Sequence, residues 1–554
     1  MSNLYNLALT GMNASQARLT VTGHNINNAD TDGYNRQRVV VSTAGATGSS
    51  TGFYGRGVQV DSVMRAYDGF LYRQLVSAQS TGAQLVAYGD QLSQINNLLA
   101  DPTVGVGPAI KNFFDGVQAV ASAPADPASR QELLGQAGNL VTQINEIGRF
   151  LDDQRNDVNV QISTTVTQVN SYIDRIADLN QQIAEAKAST SNQPPNDLYD
   201  QRDQLVTELN QLVKVNVIEQ GDRFNISVGN GQVLLSGTSA FPLKAVASSS
   251  DPTRTVVAYT APSGEPGRTM TVELADDVIT GGRLGGLLQY RTESLDVLQN
   301  NLGRMAVGLA LAFNAQHSQG LDLNGAAGED FFGMEPPAGI ANAKNGGTGQ
   351  VGIEYADIDK LNGSDYQIAY DGTNYTITRE PAGTAIYVGD GADLAAAPPR
   401  LIDGLQFNLS GTPVAGDKWL VQPTRTAARD LELAIDDPAR IAAADADGGS
   451  ANGNNALELA KLQTTKIMGN GTLSVNEAFS QLVNQAGVQM QAVSTASKAQ
   501  ANLIEQNLGA QQALSGVNLN EEYIYLMQYQ EQFSASARLI DVGSQLFDTL
   551  LGLR

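Results

Sequence analysis

Both ends of the chain repeat an apolar residue every seven positions, and nothing else in the sequence restricts the fold as strongly. Near the N-terminus the series is Tyr5, Met12, Leu19 and Ile26. Near the C-terminus it is Leu519, Leu526, Phe533, Ile540 and Phe547. Leu4, Ala8, Gly11 and Ser15 lie beside the first stripe, and Tyr523, Ala537 and Leu551 stand four positions on in the second. A spacing of seven makes a narrow helical seam of coiled-coil type, not the broad apolar face of a helix lying on a core. A lone terminal helix with such a seam frays unless it docks. The two ends are therefore expected to pair with each other and then with further copies of the chain. A helix over Leu519–Leu551 would run about 50 Å.

Ser2 or Asn3 can cap the first helix, which is expected to end near Thr22–Gly23. The stretch His24 to Tyr34 is rich in Asn, Asp and Gly and reads as irregular. Short strands follow at Val39–Val41 and Val58–Val63. From Tyr67 to Val213 the period is helical. One helix passes through Leu71, Leu75, Leu85, Leu92, Ile95 and Leu99 and is stopped by Asp101-Pro102. Shorter helices are expected around Ile110–Ala121 and from Asp126-Pro127 onward, then a very long one through Leu140, Ile144, Leu151, Val166, Ile176 and Ile183. Pro194-Pro195 breaks it, and Asn196 is expected to cap Asp197–Leu212. Strands then alternate, with Gly229-Asn-Gly231 and Asp371-Gly-Thr-Asn374 as hairpin turns. A helix over Leu284–Phe313 interrupts them. Helix returns near Asn455 and continues through the Gln- and Ala-rich stretch Leu482–Leu514. The order is helix, strand, helix: a mainly α chain with β-rich insertions set into a long-helix stem.

The balance of charge bears on partners. With 34 Lys+Arg and 57 Asp+Glu, the 554-residue chain carries a formal charge of −23. Phosphate recognition needs a basic surface, so nucleic acid is not an expected partner. An anionic membrane is not an expected partner on the same ground, and no segment reaches the ~18 apolar residues of a spanning helix, so membrane insertion is not expected. Charged residues are 16% of the chain, against about 25% in an ordinary domain. A surface so poor in charge is cheap to desolvate, as interface cores require. The chain has no cysteine. That excludes disulfides and thiolate metal sites, and suits a chain held unfolded during passage through a membrane. The first basic residue is Arg18, so a cleaved secretory signal is not expected.

Catalytic patterns are absent. The two histidines, His24 and His317, have no partner at metal spacing and are expected to be structural. Gly281-Gly-Arg-Leu-Gly-Gly286 has neither the Rossmann nor the P-loop spacing. Asp445-Ala-Asp447-Gly begins like a calcium loop but lacks the third ligand and the closing Glu, so it reads as an acidic linker. No enzyme activity, cofactor or metal is expected. The remaining alternatives are a secreted helical adhesin or effector, which gives no reason for seams at both ends, and an acid–base glycosidase site in the β-rich part.

Asn25-Ile26-Asn27-Asn28, Thr31-Asp-Gly33-Tyr34 and Arg36 resemble the N-terminal signature of the flagellar axial protein family. Pro195-Asn-Asp-Leu-Tyr-Asp-Gln-Arg-Asp-Gln-Leu205 and Ser515-Gly-Val-Asn-Leu-Asn-Glu-Glu522, with Gln528-Tyr-Gln530 and Ser534-Ala-Ser-Ala537, are similar to segments of the hook–filament junction branch of that family. The C-terminal motif usually carries Asp where this chain has Asn520, which touches one cap interaction. The resemblance implies a structural protein that polymerises at the distal end of the hook and joins hook to filament. Its implied partners are itself in a ring or helical assembly, the hook protein, a second junction protein, and an export chaperone on the C-terminal segment. It would be extracellular, exported by the flagellar type III route without a cleaved signal. The other axial proteins, hook protein and flagellin, are the alternatives. Implied domains are 1–65 and 515–554 as two halves of an inner helical domain, and 66–214 and 426–514 as two halves of the stem. Residues 215–425 would be an outward β-rich insertion with an internal helix at about 284–316. The implied subunit-interface residues are Leu4, Tyr5, Met12, Leu19, Asn25, Ile26, Asn27, Asn28, Gly33, Tyr34, Leu519, Leu526, Phe533, Ile540, Phe547 and Leu551.

Overall fold

A computed structural model describes residues 2–49, 52–99, 105–190, 193–262 and 268–552. Helix α1 spans Ser2–Asn27, and the side chains of Ser2 and Asn3, the expected caps, lie outside the described residues. It runs four residues past the expected end at Thr22–Gly23, because Asn25 uses its amide on tertiary partners instead of breaking its own helix. A twisted ribbon follows, with Gln37–Thr43 antiparallel to Val58–Arg65 and Gln37 opposite Arg65.

Helix α2 spans Gly69–Leu99; the expected stop at Asp101-Pro102 falls outside the described residues. Helix α3 is Val106–Ser122. Helix α4 is a single rod of 63 residues, Pro127–Ser189, about 95 Å long. The short and the very long helix read separately from the sequence are one, since Leu133, Leu134 and Ala137 continue the stripe of Leu140 and Ile144 without a break. Asp126 caps it through the amides of Ala128 and Ser129. Helix α5 is Asn196–Leu212, and Asn196 is not its cap. Its buried amide donates instead to the Val63 carbonyl (2.9 Å) and to Gln37 Oε1 (3.3 Å).

Two antiparallel sheets between Val215 and Glu273 lie on α4, one of four strands and one of three. Asn180 fixes the first by donating to the carbonyls of Phe224 and Gly237. Helices α6 (Gly282–Tyr290) and α7 (Asp296–His317) follow, joined through a π turn at Arg291–Leu295. The sequence placed a helix here inside the outward β-rich part. The structure puts it in the helical body: Leu284, Leu287, Leu288, Leu298 and Leu302 share one buried core with α2, α3 and α4. Gly286 permits this, since a Cβ there would stand 2.9 Å from that of Ala87 in α2. Phe113, Phe114, Phe313, Phe331 and Phe332 form the densest part of the core, none more than 1% exposed. His317 closes its edge. Its Nδ1 bonds the Glu329 carbonyl (2.6 Å), Nε2 accepts from the Ala442 amide (2.9 Å), and burial pushes its pKa down to about 4.

The segment from Ile340 to Val421 forms a five-stranded sheet and a two-stranded ribbon around a second core that includes Ile353, Tyr366, Ile368, Phe407 and Trp419. The Asp371-Gly hairpin is as expected: Asp371 accepts from the amides of Thr373 and Asn374. At the neck of this unit Arg425 bridges Asp296 and Asp365. Burial alone would raise the pKa of Asp296, but Arg425, Arg254, Arg155 and Arg291 around it hold it at about 2.

The chain returns to the body through α8 (Ala427–Asp430) and α9 (Asn454–Lys461). Helix α10, Val475–Ser515, starts at a capping box of Ser474 and Glu477 and lies along α2. Helix α11 is Leu519–Leu551, capped by Asn518 through the amides of Asn520 and Glu521. The cap therefore belongs to Asn518, and the exchange at Asn520 leaves it in place.

Candidate assembly interface and its polar corner

Helices α1 and α11 pack on each other and run antiparallel. Gly11 faces Ser536, Arg18 reaches Gln532 and the ring of Tyr529, and Asn25 meets Glu522. The contact line repeats every seven residues on both helices, at 11, 18 and 25 and at 522, 529 and 536. It runs beside the apolar seams and not along them. The side chains that α1 buries are small or polar: Ala8, Ala14, Ser15, Thr22 and Asn25 among its described residues. Small residues let the two backbones approach; a Cβ at Gly11 would stand 2.9 Å from Ser536 Oγ.

The seams remain partly open. Tyr5 is 50% exposed, Leu519 41%, Phe547 54% and Leu551 58%. Leu4, Met12, Leu19, Ile26, Leu526, Phe533 and Ile540 are half-buried. A second row of α11 is open as well, with Ile524, Met527, Val542 and Leu546 each at least 47% exposed. Among the described residues of α11 the one buried side chain is Glu522.

The three sequence motifs, about 170 and 320 residues apart, converge at the foot of this pair. Asn25, 1% exposed, makes four bonds. Its Nδ2 donates to the Gln37 carbonyl (2.9 Å) and to Glu522 Oε2 (3.1 Å), while Oδ1 accepts from the Gln37 amide (2.9 Å) and the Tyr34 hydroxyl (2.7 Å). With its proton on Asn25, the Tyr34 oxygen accepts from His24 Nδ1 at 2.9 Å. Burial first, then the carboxylates of Asp197, Asp200 and Glu522, push the Tyr34 pKa up, so the hydroxyl stays a donor. Asn28 donates back to the His24 carbonyl and accepts from Thr31. Asn27 is exposed. Gly33 has φ 77°, a left-handed conformation that favours glycine, and packs against Gln204.

The second motif supplies the floor. Asp200 accepts from the amide (3.0 Å) and side chain (2.6 Å) of Asn35 and from Arg65 (2.8 Å). Burial raises its pKa against those bonds. Asp203 pairs with Arg65 at 2.7 Å, and Gln37 reaches Asp197 at 2.7 Å. The third motif supplies the wall. Arg36 Nε meets Glu522 Oε1 at 2.8 Å, its amide donates to the Ser515 carbonyl at 2.9 Å, and its guanidinium lies over Tyr525. Asn25, Asn28, Gly33 and Tyr34 are legible in the sequence as site residues; Glu522 stands in the third motif but not among the expected interface residues, Gln37 and Arg65 lie outside all three motifs, and nothing in the sequence shows that the motifs touch. Their shared excess of Asn, Asp and Gln within otherwise helical stretches was the available signal.

Among the described residues no three His, Asp or Glu converge as a metal site, and none of their helices is long and apolar enough to cross a membrane.

The family model for flagella basal body rod protein matches residues 6–35, and that for the flagellar basal body rod FlgEFG protein C-terminal region matches 510–553. Between them, the flagellar hook-associated protein FlgK helical domain matches 92–332, and the D2-like domain of flagellar hook-associated protein 1 matches 340–423. Flagellar hook-associated protein 1 of Escherichia coli K12 is 37% identical with both chains fully covered, and that of Salmonella typhimurium LT2 38% identical with the same coverage. The solved flagellar hook junction protein FlgK from Burkholderia pseudomallei superposes with a TM-score of 0.73 at 30% identity, covering 80% of this chain and all of that one. The chain belongs to the flagellar hook-associated protein 1 family.

Proposed function

We propose that this chain is a structural element that polymerises at the distal end of the hook and joins hook to filament. The observation that carries the reading is the pair α1–α11. Its contact line consumes small and polar side chains and leaves both apolar seams half-open. Exposed apolar surface in one continuous strip marks an interaction site, and a seven-residue repeat suits further helices packing side by side. The proposed interface is therefore Leu4, Tyr5, Met12, Leu19 and Ile26 on α1 with Leu519, Leu526, Phe533, Ile540, Phe547 and Leu551 on α11. Asn25, Asn27, Asn28, Gly33 and Tyr34 hold the corner behind it. In this reading the outer unit around Trp419 faces away from the pair, and residues 1–65 with 515–554 act as one inner domain.

The relatives carry the names of flagellar structural proteins, and we read this chain likewise as no enzyme. Its partners would be further copies, the hook protein, a second junction protein, and an export chaperone that holds the α11 seam before assembly. Export would proceed unfolded and without a cleaved signal, consistent with a chain free of cysteine. Antibody labelling of purified hook–filament preparations tests the reading. Label confined to the distal hook end is expected; label along the whole filament would overturn it.

A further inference from the structure

We propose that Glu522, with Asn25 and Arg36, is the register pin of the terminal helix pair. It selects which turn of α11 meets which turn of α1, and contributes little to holding them together. The inference goes beyond the junction reading and does not depend on where the chain assembles.

The rest of the contact line chooses its register less sharply: Arg18 meets Gln532 and Tyr529 at a half-buried surface, and Gly11 asks only for a small neighbour such as Ser536. Positions 11, 18 and 25 face 536, 529 and 522, and a slip of seven residues lays the same stripes on each other one heptad out of step. Glu522 would then face Arg18, an attractive pair, and Tyr529 would face Gly11, where the missing side chain leaves room for the ring once the helices part slightly from their spacing at Ser536. The half-open seams are equally periodic and equally indifferent. The link Gly516–Asn518 does not prevent a slip, because most side chains from Leu508 to Leu514 at the end of α10 are exposed and those turns can unwind.

Glu522 breaks the degeneracy. It is 2% exposed on a helix whose other described side chains are all partly or fully exposed. A buried carboxylate is tolerated only where partners satisfy it. Here Arg36 takes one oxygen and Asn25 the other, at 2.8 and 3.1 Å. Asn25 is itself fixed by both backbone groups of Gln37, and Arg36 by the Ser515 carbonyl. No other turn of α1 offers this set. Selecting register is the best-attested use of a buried polar group in a helical seam, and an apolar replacement of similar volume is often neutral for stability.

The chain has no cysteine, so paired cysteines can read the register directly. A Cβ at Gly11 lies 3.7 Å from that of Ser536, within the ~3.5–4.5 Å that a disulfide needs. The native reporter is G11C with S536C; the slipped reporter is G11C with Y529C. Each is placed in the full chain, with and without Glu522→Leu, and equilibrated in a glutathione redox buffer. With Glu522 present, the native disulfide should dominate. With Glu522→Leu, the ratio of native to slipped disulfide should fall by about tenfold or more, through a rise in the slipped form. Asn25→Leu should act in the same direction. An unchanged ratio would overturn the proposal, and so would loss of both disulfides together, which would make Glu522 the attachment and not the pin. Melting of the helical body, followed by circular dichroism, should be the same in all variants; a lowered melting point would assign Glu522 a structural role instead.

Discussion

The helical body and the terminal pair are both built from long helices, yet they bury different things. In the body, five phenylalanines from α3, α7 and the segment after it interlock with ring centres 4.7 to 6.1 Å apart. In the pair, the buried apolar side chains are Ala8 and Ala14, and α11 contributes none among its described residues. Burial of large apolar side chains, worth roughly 1.5–3 kcal/mol each, offsets the conformational entropy of ordering a helix. The body meets that requirement within one chain. The pair does not, and in the proposed assembly neighbouring copies would supply the rest. One molecule thus holds a region rich in large buried apolar side chains and a region poor in them.

The strongest way to break this contrast is to cut the body. Phe313→Ala removes a ring at the centre of the aromatic cluster and should lower the stability of the isolated chain by about 3–5 kcal/mol. Thermal melting of the purified protein checks it; a shift as small as that of a surface substitution would mean the cluster is not the core of the body.

Acid should act on the body almost as strongly. His317 titrates near 4 when folded, below its ordinary 6.5, because burial disfavours the charged ring. The folded pKa is the lower one, so the unfolded chain binds the extra proton. The stability from neutral His317 is complete above pH 6.5 and is lost as pH falls towards 4. The full span is about 3 kcal/mol. Urea unfolding at several pH values should show that slope. It should flatten in His317→Gln, which keeps a donor and an acceptor but does not titrate.

The smallest effect on the isolated chain should come from the seam. Phe533→Ala should change the melting of the free protein by less than about 0.5 kcal/mol, while cells carrying it should shed filament protein into the medium under shear. Filaments as shear-resistant as wild type would mean Phe533 faces nothing in the assembly.

Much of this contrast was readable in the sequence, for definite reasons. Periodicity reports large apolar side chains, so the seams and the stripe of α4 stood out. It does not report close packing through small ones, so Ala8, Gly11 and Ser15 read as the flank of the seam and Asn25 as part of an irregular stretch. Local propensity placed Asn25 and Asn196 outside or at the end of helices, where free asparagine prefers to sit. Both lie within helices because partners distant in sequence, Glu522, Gln37 and Val63, use their amides. The convergence of three motifs is tertiary, and one sequence without contacts cannot display it. The return of α6 and α7 into the body was hidden similarly, since strands flank them on both sides along the chain.

The central claim is that the terminal pair takes its stability from other subunits. Helices without large buried side chains open at little cost. Amide hydrogen exchange on the verified monomer and on the assembled junction tests this directly. Tyr5–Ile26 and Leu526–Phe547 should exchange far faster than α4 and α7 in the monomer, through cheap opening of the pair, and slow down on assembly, while α4 and α7 are protected in both. Strong protection of the two terminal segments in the monomer would contradict it.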